Sequence, residues 1–528
     1  MILSSIDDSK KSMHVGLDVP ALLKSRAERF PDKPFLIWEP FEGQRKSITY
    51  REFAAQVEAL AGGLHGKGVA VGNKVLIHMD NSPEFLLAWF ACARLGAVAV
   101  STNTRCVARD ISYFAEHAEV VCALTQPQYA ELIAEAAPDI EFLAVTDNDA
   151  GKPSKVPENI DAIAFSTLFD AAVSVPDRQV EPMADLSIQF TSGTTSRPKA
   201  VLWTHANAVW GGRMNAMHFR LSPADVGLAF LPLYHTNAQS YSMLGTLHVG
   251  GTLVLQPRFS ASRFWEVSLR NRCTWTSMIP FCVKALLSQE VPEQHQYHLW
   301  ATAVKLVQAE QLFGVKTLGL WGMTETITHG IVEDIDEAGP DMNIGRVSPA
   351  YDIAIRNSNG EWVQPGETGR LYIRGTRGVT LFKEYYKNVE ANDKSFDKDG
   401  WFDTGDLVAM DETGVLFFRD RDKDMLKVGA ENVAASEIEA VIMETGLVDE
   451  CAVVGQKHYM LDEVPVAFVI ALPEAGNDIT SKIVEACNIN LPDFKVVRAV
   501  HVVDELPRST LEKIAKNELR ARLPTILE

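Results

Sequence analysis

The sequence predicts an α/β protein: parallel-rich sheets covered by helices, then a small β-rich region, then a mixed α/β C-terminal part. Three observations carry this. Short, continuously apolar strands alternate with helices in two separate runs. From about Asp341 the texture changes to short strands and turns. At 528 residues the chain is also too long for one compact core, so two or more domains are expected.

The first run opens at Thr49–Glu52, a T-x-x-E capping box, with Phe53, Val57, Leu60 and Leu64 behind it at helical spacing. KVLIHMD (74–80) follows as an apolar strand. A helix then starts with Ser82 as N-cap and Pro83 in its first turn, and Gly96 stops it. AVAVSTN (97–103), a helix over 110–119 and VVCALT (120–125) complete a β-α-β-α-β series. The order recurs in GLAFLPL (227–233), a helical stretch through Tyr241–His248, GTLVLQP (251–257), a helix capped by Ser260 or Ser262, and TWTSMI (274–279). Strands with one face in water alternate apolar and polar residues; these do not, so both faces are covered. DIAIRNSNGEWV (352–363), GRLYIRG (369–375) and GVLFFRD (414–420) form the β-rich region. The charge cluster RDRDKD (419–424) separates it from the last mixed stretch; by composition alone that cluster is a solvated turn.

Composition is ordinary globular, with 46% apolar and 23% charged residues. Fifty basic against 69 acidic residues give a net charge of −19, which argues against sequence-independent binding to nucleic acid or anionic membranes. Any polyanionic ligand must therefore meet a local basic island. Cys92, Cys106, Cys122, Cys273, Cys282, Cys451 and Cys487 show no CxxC spacing and fit a reducing cytosol as small core residues. The N-terminus lacks an apolar h-region. Phe85–Val100, the most apolar stretch, is 16 residues long and contains Arg94, too short and too charged to span a bilayer. The expectation is a soluble cytoplasmic protein.

One segment cannot help build a core. Thr191–Ala200, TSGTTSRPKA, holds five hydroxyl residues, one glycine, one proline and two cations. It lies between an apolar lead (Leu186, Ile188, Phe190) and a second one (Ala200, Val201, Leu202), so it reads as a loop between strands. Its hydroxyls and backbone N–H groups suit a polyphosphate, with Arg197 and Lys199 adding charge. Taken alone such a segment is more often just a flexible turn. It lacks the G-x-x-x-x-G-K-[ST] form.

TSGTTSRPK resembles the phosphate loop of the acyl-adenylate-forming (AMP-dependent synthetase/ligase) superfamily, and further signatures recur in the family's order. They are LPLYH (231–235), WGMTE (321–325), GWFDTGDL (400–407), RDRDKDMLKVGAENV (419–433) and LPRSTLEK (506–513). Within the superfamily, FTSGTTSRPK and GMTET look most like carnitine/crotonobetaine-type CoA ligases. The resemblance implies a large N-terminal domain over 1–421, with the β-rich subdomain at about 341–421, and a small mobile α+β C-terminal domain over 422–528. It implies an AMP-forming acyl-CoA ligase that uses a carboxylic acid, ATP, Mg²⁺ and coenzyme A. The rivals are a stand-alone adenylation enzyme that loads a carrier protein, and a binding protein that has lost catalysis. A homodimer is left open.

Residue by residue, the resemblance has Thr191, Ser192, Gly193, Thr194, Thr195 and Lys199 cradle the β- and γ-phosphates. Glu325 is the Mg²⁺ ligand, Thr324 bonds the α-phosphate, and Trp321, with Gly322 after it, stands where the family has a tyrosine against adenine. Asp406 binds the ribose, and Phe418 and Arg421 close over it. His235 lies between the carboxylate pocket and the CoA tunnel; amino-acid-activating relatives have aspartate there, so an α-amino acid substrate is disfavoured. Lys513 reaches the α-phosphate during adenylation, Lys423 is the hinge, and Gly429 and Ala430, with Lys427 nearby, line the pantetheine tunnel. Each residue alone has a plainer reading: an exposed loop carboxylate for Glu325, a turn for TGD, a satisfied histidine for His235, a solubilising lysine for Lys513.

The chain departs from the family at Ser196, Ala200, Ala430 and Glu512, each in place of a usual glycine. The Gly-Gly-Ala-Pro-like adenine loop is missing, and the Trp300–Trp321 interval looks shortened. The acyl pocket is expected from Thr236, Asn237, Gln239, Ser240 and Tyr241, polar for a fatty-acid tunnel, so a small or medium polar, cyclic or aryl acid is expected.

Overall fold

The computed structural model describes residues 17–523 apart from 170–172, 192–197, 338, 422–423, 425, 429–430, 459–460, 477, 492 and 509–513; the side chains of Asp420, Arg421, Lys427, Glu431, Asn432 and Asp462 also lie outside the description. Contacts group the chain into two compact units, Met1–Asp352 with Arg374–Trp401, and Ile353–Ile373 with Phe402–Glu528.

The first unit is built on two large sheets. The nine-stranded sheet runs Arg346–Val347, His329–Val332, Lys316–Gly322, Leu299–Ala303, Trp275–Ser277, Val226–Ala229, Thr252–Leu255, Pro34–Trp38, Lys46–Thr49. The eight-stranded sheet runs Glu384–Tyr385, Lys199–Thr204, Asp185–Thr191, Val98–Ser101, Lys74–His78, Val120–Thr125, Phe142–Val145, Ile163–Ala164. Both interiors are parallel, and antiparallel pairs occur only toward the edges. The continuous apolar strands follow from this. Val75, Leu76 and Ile77 are all fully buried because helices cover both faces.

Local signals place the helices. Helix Tyr50–Gly66 carries its full capping box: the Thr49 hydroxyl accepts from the Glu52 N–H, and the Glu52 carboxylate accepts from the Thr49 N–H at 2.8 Å. Helix Pro83–Leu95 starts at Ser82, whose hydroxyl accepts from the Phe85 N–H. It ends at Gly96 in the left-handed region (φ +79°), the conformation glycine adopts at least cost. Ser260 is the N-cap residue of helix Ala261–Asn271, but its hydroxyl meets Ser262 rather than a backbone amide.

Two expected elements differ. The strand read over 227–233 ends at Ala229. Pro232 has no N–H to donate, and the Asn81 side chain substitutes for a neighbouring strand: its amide donates to the Leu231 carbonyl (2.9 Å) and its oxygen accepts from the Leu233 N–H (2.7 Å). The helical stretch after LPLYH is a π-helix over Asn237–Leu244 that continues as an α-helix over Gly245–Val249. Such wide turns are rare and concentrate at functional sites.

In the second unit a four-stranded sheet orders Asp352–Arg356, Thr368–Arg374, Phe402–Met410 and Leu416–Arg421. A five-stranded sheet follows, centred on the antiparallel pair Val448–His458 and Asp462–Ala471. Side chains of that pair alternate between two cores. Val453 and Val469 pack with Ile438 and Ile483, while Ala452, Val454 and Phe468 pack with Leu519. All seven cysteines are free thiols, and each except Cys106 is buried. No helix among the described residues is long and apolar enough to cross a membrane.

Candidate active site

Strands Asp185–Thr191 and Lys199–Thr204 pair antiparallel with Thr191 opposite Lys199, so the segment read as a phosphate loop is the mouth of a hairpin. The Thr191 hydroxyl lies 3.4 Å from the Lys199 carbonyl. Ser192, Gly193, Thr194 and Thr195 fall outside the described residues. The hairpin holds its lysine at a defined place: Lys199 Nζ stands 4.5 Å from the ring centroid of Tyr385.

Glu325 lies in a 3₁₀ turn, Thr324–Thr326, that follows the parallel strand Lys316–Gly322. Ligands of parallel sheets gather at this end of the strands. The side chain is 5% exposed, so the plain reading of an exposed loop carboxylate fails. Burying a carboxylate is costly unless it is paired, and Tyr385 pairs it, donating its hydroxyl to Oε1 at 2.8 Å. The Glu325 carbonyl accepts from the Phe382 N–H at 2.8 Å. Directly after the turn, Ile327 has φ +62° and the Thr328 N–H reaches the Thr326 carbonyl at 2.6 Å. This is a γ-turn in the strained, positive-φ sense, centred on a β-branched residue; such conformations cost about 1–3 kcal/mol. Tyr351, Met323 and Thr328 bond the Thr326 backbone and hydroxyl and hold it in place.

A buried polar ladder runs inward from Thr324. Its hydroxyl is 3.1 Å from that of Thr236, which donates to Gln189 Oε1 at 2.8 Å. A hydroxyl carries one hydrogen, so Thr236 accepts from Thr324 when it donates to Gln189. Gln189 then donates to Gln239 (2.8 Å), and Gln239 to Ser101 (3.1 Å). The Trp203 indole N–H donates to the Thr324 carbonyl at 2.9 Å. Gln189, Ser101, Trp203 and Tyr385 were not singled out in the sequence. Gln189 gave little signal, because its strand DLSIQFT alternates polar and apolar residues and the buried role of the polar set appears only in the fold.

The ladder corrects the expected acyl pocket. Gln239 and Ser240 are fully buried, and both are tied into the frame: Ser240 accepts from Asn215 at its hydroxyl (3.0 Å) and at its carbonyl (2.9 Å). They support a wall rather than face an opening. Tyr241 stands against Gly322, where an added Cβ would lie 2.7 Å from the tyrosine oxygen and 2.8 Å from the Thr328 carbonyl; only glycine fits. Behind Tyr241, at 4.1 Å between centroids, lies His329, fully buried with neither ring nitrogen hydrogen-bonded. Burial, then neighbouring His218, holds the His329 pKa well below the ordinary range, and burial lowers that of His218 to about 4. Both rings are neutral at physiological pH.

His235 accepts at its carbonyl from the Gln239 N–H (3.0 Å), and its ring packs 4.7 Å from that of Tyr234. Trp321 is 6% exposed and sits opposite Ile331 in the sheet. The shortened interval before it contains one short helix, Val307–Phe313. The strand ahead ends at Ala303 with φ +69°, a backbone conformation that suits glycine better. Lys305, 6% exposed, then turns inward to Glu310 at 2.9 Å.

The first unit thus brings together Thr191, Lys199, His235, Thr236, Trp321, Gly322, Thr324 and Glu325. Asp406, Phe418, Arg421 and Lys427 belong to the second unit. Asp406 is 2% exposed, on a strand where it faces Arg421 in register, and its N–H donates to the Thr404 hydroxyl at 3.1 Å. Phe418 is 40% exposed on the neighbouring strand. Lys423, Gly429, Ala430 and Lys513 lie outside the described residues, as do Ser196, Arg197 and Glu512.

Among the described residues no three His, Cys, Asp or Glu side chains cluster as a metal cage. Glu325, anchored by Tyr385, is an oxygen donor of the kind that a hard divalent cation takes together with phosphate oxygens of a ligand.

The AMP-binding enzyme family model matches residues 23–386, and the AMP-binding enzyme C-terminal domain model matches residues 437–513. A crotonobetaine/carnitine–CoA ligase from Salmonella heidelberg (strain SL476) is 31% identical over 505 residues, covering 93% of this chain and 96% of that protein. The structure of ATP-bound MatB from Rhodopseudomonas palustris aligns with a TM-score of 0.84 at 25% identity, over 96% of this chain and 99% of that one. The AMP complex of O-succinylbenzoate coenzyme A synthetase from Bacillus subtilis shares the fold, with a TM-score of 0.83 at 24% identity over 96% and 98% of the two chains.

Proposed function

The chain belongs to the AMP-binding enzyme family and is an ATP-dependent, AMP-forming CoA ligase; from that premise we propose a two-step reaction at the site just described. A carboxylate oxygen attacks the α-phosphate of ATP, the bond to the β-phosphate breaks, and pyrophosphate leaves. The CoA thiol then attacks the acyl carbon and loses its proton, the bond to the adenylate oxygen breaks, and AMP leaves with that oxygen. All reacting groups of the first step are anionic, so the protein's task is to position them and offset charge. The anchored Glu325 carboxylate beside the Tyr385–Lys199 contact carries this reading.

Thr191, Ser192, Gly193, Thr194, Thr195 and Lys199 hold the β- and γ-phosphates through hydroxyls, backbone N–H groups and the ammonium. Glu325 holds Mg²⁺, which when bound supplies positive charge at the phosphate oxygens. Thr324 bonds the α-phosphate when its one hydroxyl hydrogen turns from Thr236 to a phosphate oxygen; before that, the Thr236–Gln189–Gln239–Ser101 ladder holds the side chain. Trp321 packs against adenine, and Asp406 accepts from both ribose hydroxyls, with Phe418 and Arg421 closing over the sugar. Lys513 reaches the α-phosphate in the first step. In the second, the C-terminal domain turns about Lys423, and Gly429, Ala430 and Lys427 line the pantetheine path past His235. The protein works in the cytoplasm.

We also propose that the acid is small or medium-sized and polar, cyclic or aryl. Support comes from the polar residues after LPLYH and from Tyr241, whose hydroxyl stands close against Gly322. By resemblance to the carnitine-type ligases, a quaternary ammonium acid is the alternative; the buried rings of Phe219, Trp275, Tyr241 and His329 pack against one another and do not themselves form a cage for its cation. A panel of carboxylic acids scored for CoA-dependent AMP formation tests the substrate class. A short, cyclic or aryl acid should give the highest kcat/KM; a higher value for palmitate than for every short or cyclic acid would overturn it.

A further inference from the structure

Tyr385 touches both charged groups that the proposed mechanism needs at the phosphates, yet it comes from neither segment that carries them. Its hydroxyl donates to Glu325 Oε1 at 2.8 Å, and Lys199 Nζ lies 4.5 Å from its ring centroid. The residue itself is 3% exposed and held at every point. Its N–H donates to Asn392 Oδ1 and its carbonyl accepts from Asn392 Nδ2, each at 2.8 Å. It lies opposite Val201 in the edge strand that pairs with Lys199–Thr204, and bonds on either side, Lys383 N–H to the Leu202 carbonyl and Tyr386 N–H to the Ala200 carbonyl, fix the register. Phe382 packs its ring at 4.7 Å, while its own N–H donates to the Glu325 carbonyl.

From this geometry we infer that Tyr385 is a positioning residue that sets the affinity for the metal-bound triphosphate. The inference rests on the reading of Glu325 and Lys199 given above. A hydroxyl donated to a carboxylate is a charge-assisted bond, roughly twice as strong as a neutral one, and it fixes the orientation of the carboxylate before any cation arrives. The ring face attracts the ammonium and restricts a side chain that would otherwise sample many rotamers. One rigid side chain thereby keeps an anion and a cation in place.

The two contacts are separable by substitution. ATP binding to the full-length protein is measured calorimetrically with excess Mg²⁺ and again with EDTA, with neither acid nor CoA present. Y385F removes the hydroxyl and keeps the ring. It should weaken Mg²⁺-ATP binding roughly tenfold, as expected for a lost hydrogen bond to a charged group, and leave metal-free ATP within about twofold of wild type. Y385L removes the ring as well and should weaken metal-free ATP a further few-fold, roughly threefold. A merely structural role would weaken both nucleotide forms equally in Y385F. That result, or wild-type binding of both forms by Y385F, overturns the inference while leaving the ligase reading intact. Failure of the wild-type protein to bind ATP at all would overturn the reading of the site itself.

Discussion

Lys513→Ala should slow acyl-adenylate synthesis by roughly 10²–10³, the usual cost of losing one preorganised donor to developing charge. The same variant should still convert supplied acyl-adenylate and CoA to acyl-CoA at a near wild-type rate. The asymmetry follows from where charge moves. In the first step the α-phosphate becomes five-coordinate and gathers negative charge, which the ammonium offsets. In the second, bond making and breaking occur at the acyl carbon, and the phosphate only departs as part of AMP. Two single-turnover assays decide it, one reading pyrophosphate from acid and ATP, the other acyl-CoA from synthetic acyl-adenylate. Equal loss in both would assign the role to another lysine or point to misfolding, which an unfolding midpoint checks.

Lys423→Pro should divide the half-reactions at the opposite place. A domain that presents Lys513 in one step and Gly429 and Ala430 in the next must turn, and turning needs one or two positions with wide φ/ψ freedom. Proline fixes φ near −65° and removes that freedom. If the orientation so fixed is the adenylating one, pyrophosphate release from acid and ATP continues while acyl-CoA formation falls by orders of magnitude. Normal acyl-CoA turnover by this variant would place the hinge elsewhere or show that no rotation is required. Together the two variants form a pair, each sparing the step that the other blocks.

Features legible in the sequence were those written over a few neighbouring residues. The Thr49–Glu52 box, the Ser82–Pro83 start and the Gly96 stop each place a helix end, because capping joins groups three or four positions apart. The continuous apolar strands identified covered parallel sheets for the same local reason. The site was legible only where it lay in contiguous motifs. Tyr385 reaches Glu325 across 60 positions, and Gln189 reaches Gln239 across 50; both contacts exist because edge strands and hairpins fold distant segments together. Residue type was a poor guide there. Gln239 and Ser240 are polar as expected of pocket residues, yet they face Gln189, Ser101 and Asn215, since a hydrogen-bonding side chain is equally content with protein or ligand. Pro232 cut short a strand that its apolar neighbours had announced, and the Asn81 side chain that replaced the ladder lies 150 residues away.

The most direct test of the central claim follows an oxygen atom. With a carboxylic acid labelled in both carboxylate oxygens with ¹⁸O, ATP and CoA, attack on the α-phosphate makes one labelled oxygen the bridge of the acyl-adenylate. Thiolysis at the acyl carbon then leaves that oxygen on phosphorus. Mass spectrometry should find one ¹⁸O in AMP, one in the acyl-CoA carbonyl and none in pyrophosphate. Label in inorganic phosphate together with ADP would mean an acyl-phosphate route, and unlabelled AMP would mean that no acyl-adenylate forms; either would contradict an AMP-forming acyl-CoA ligase.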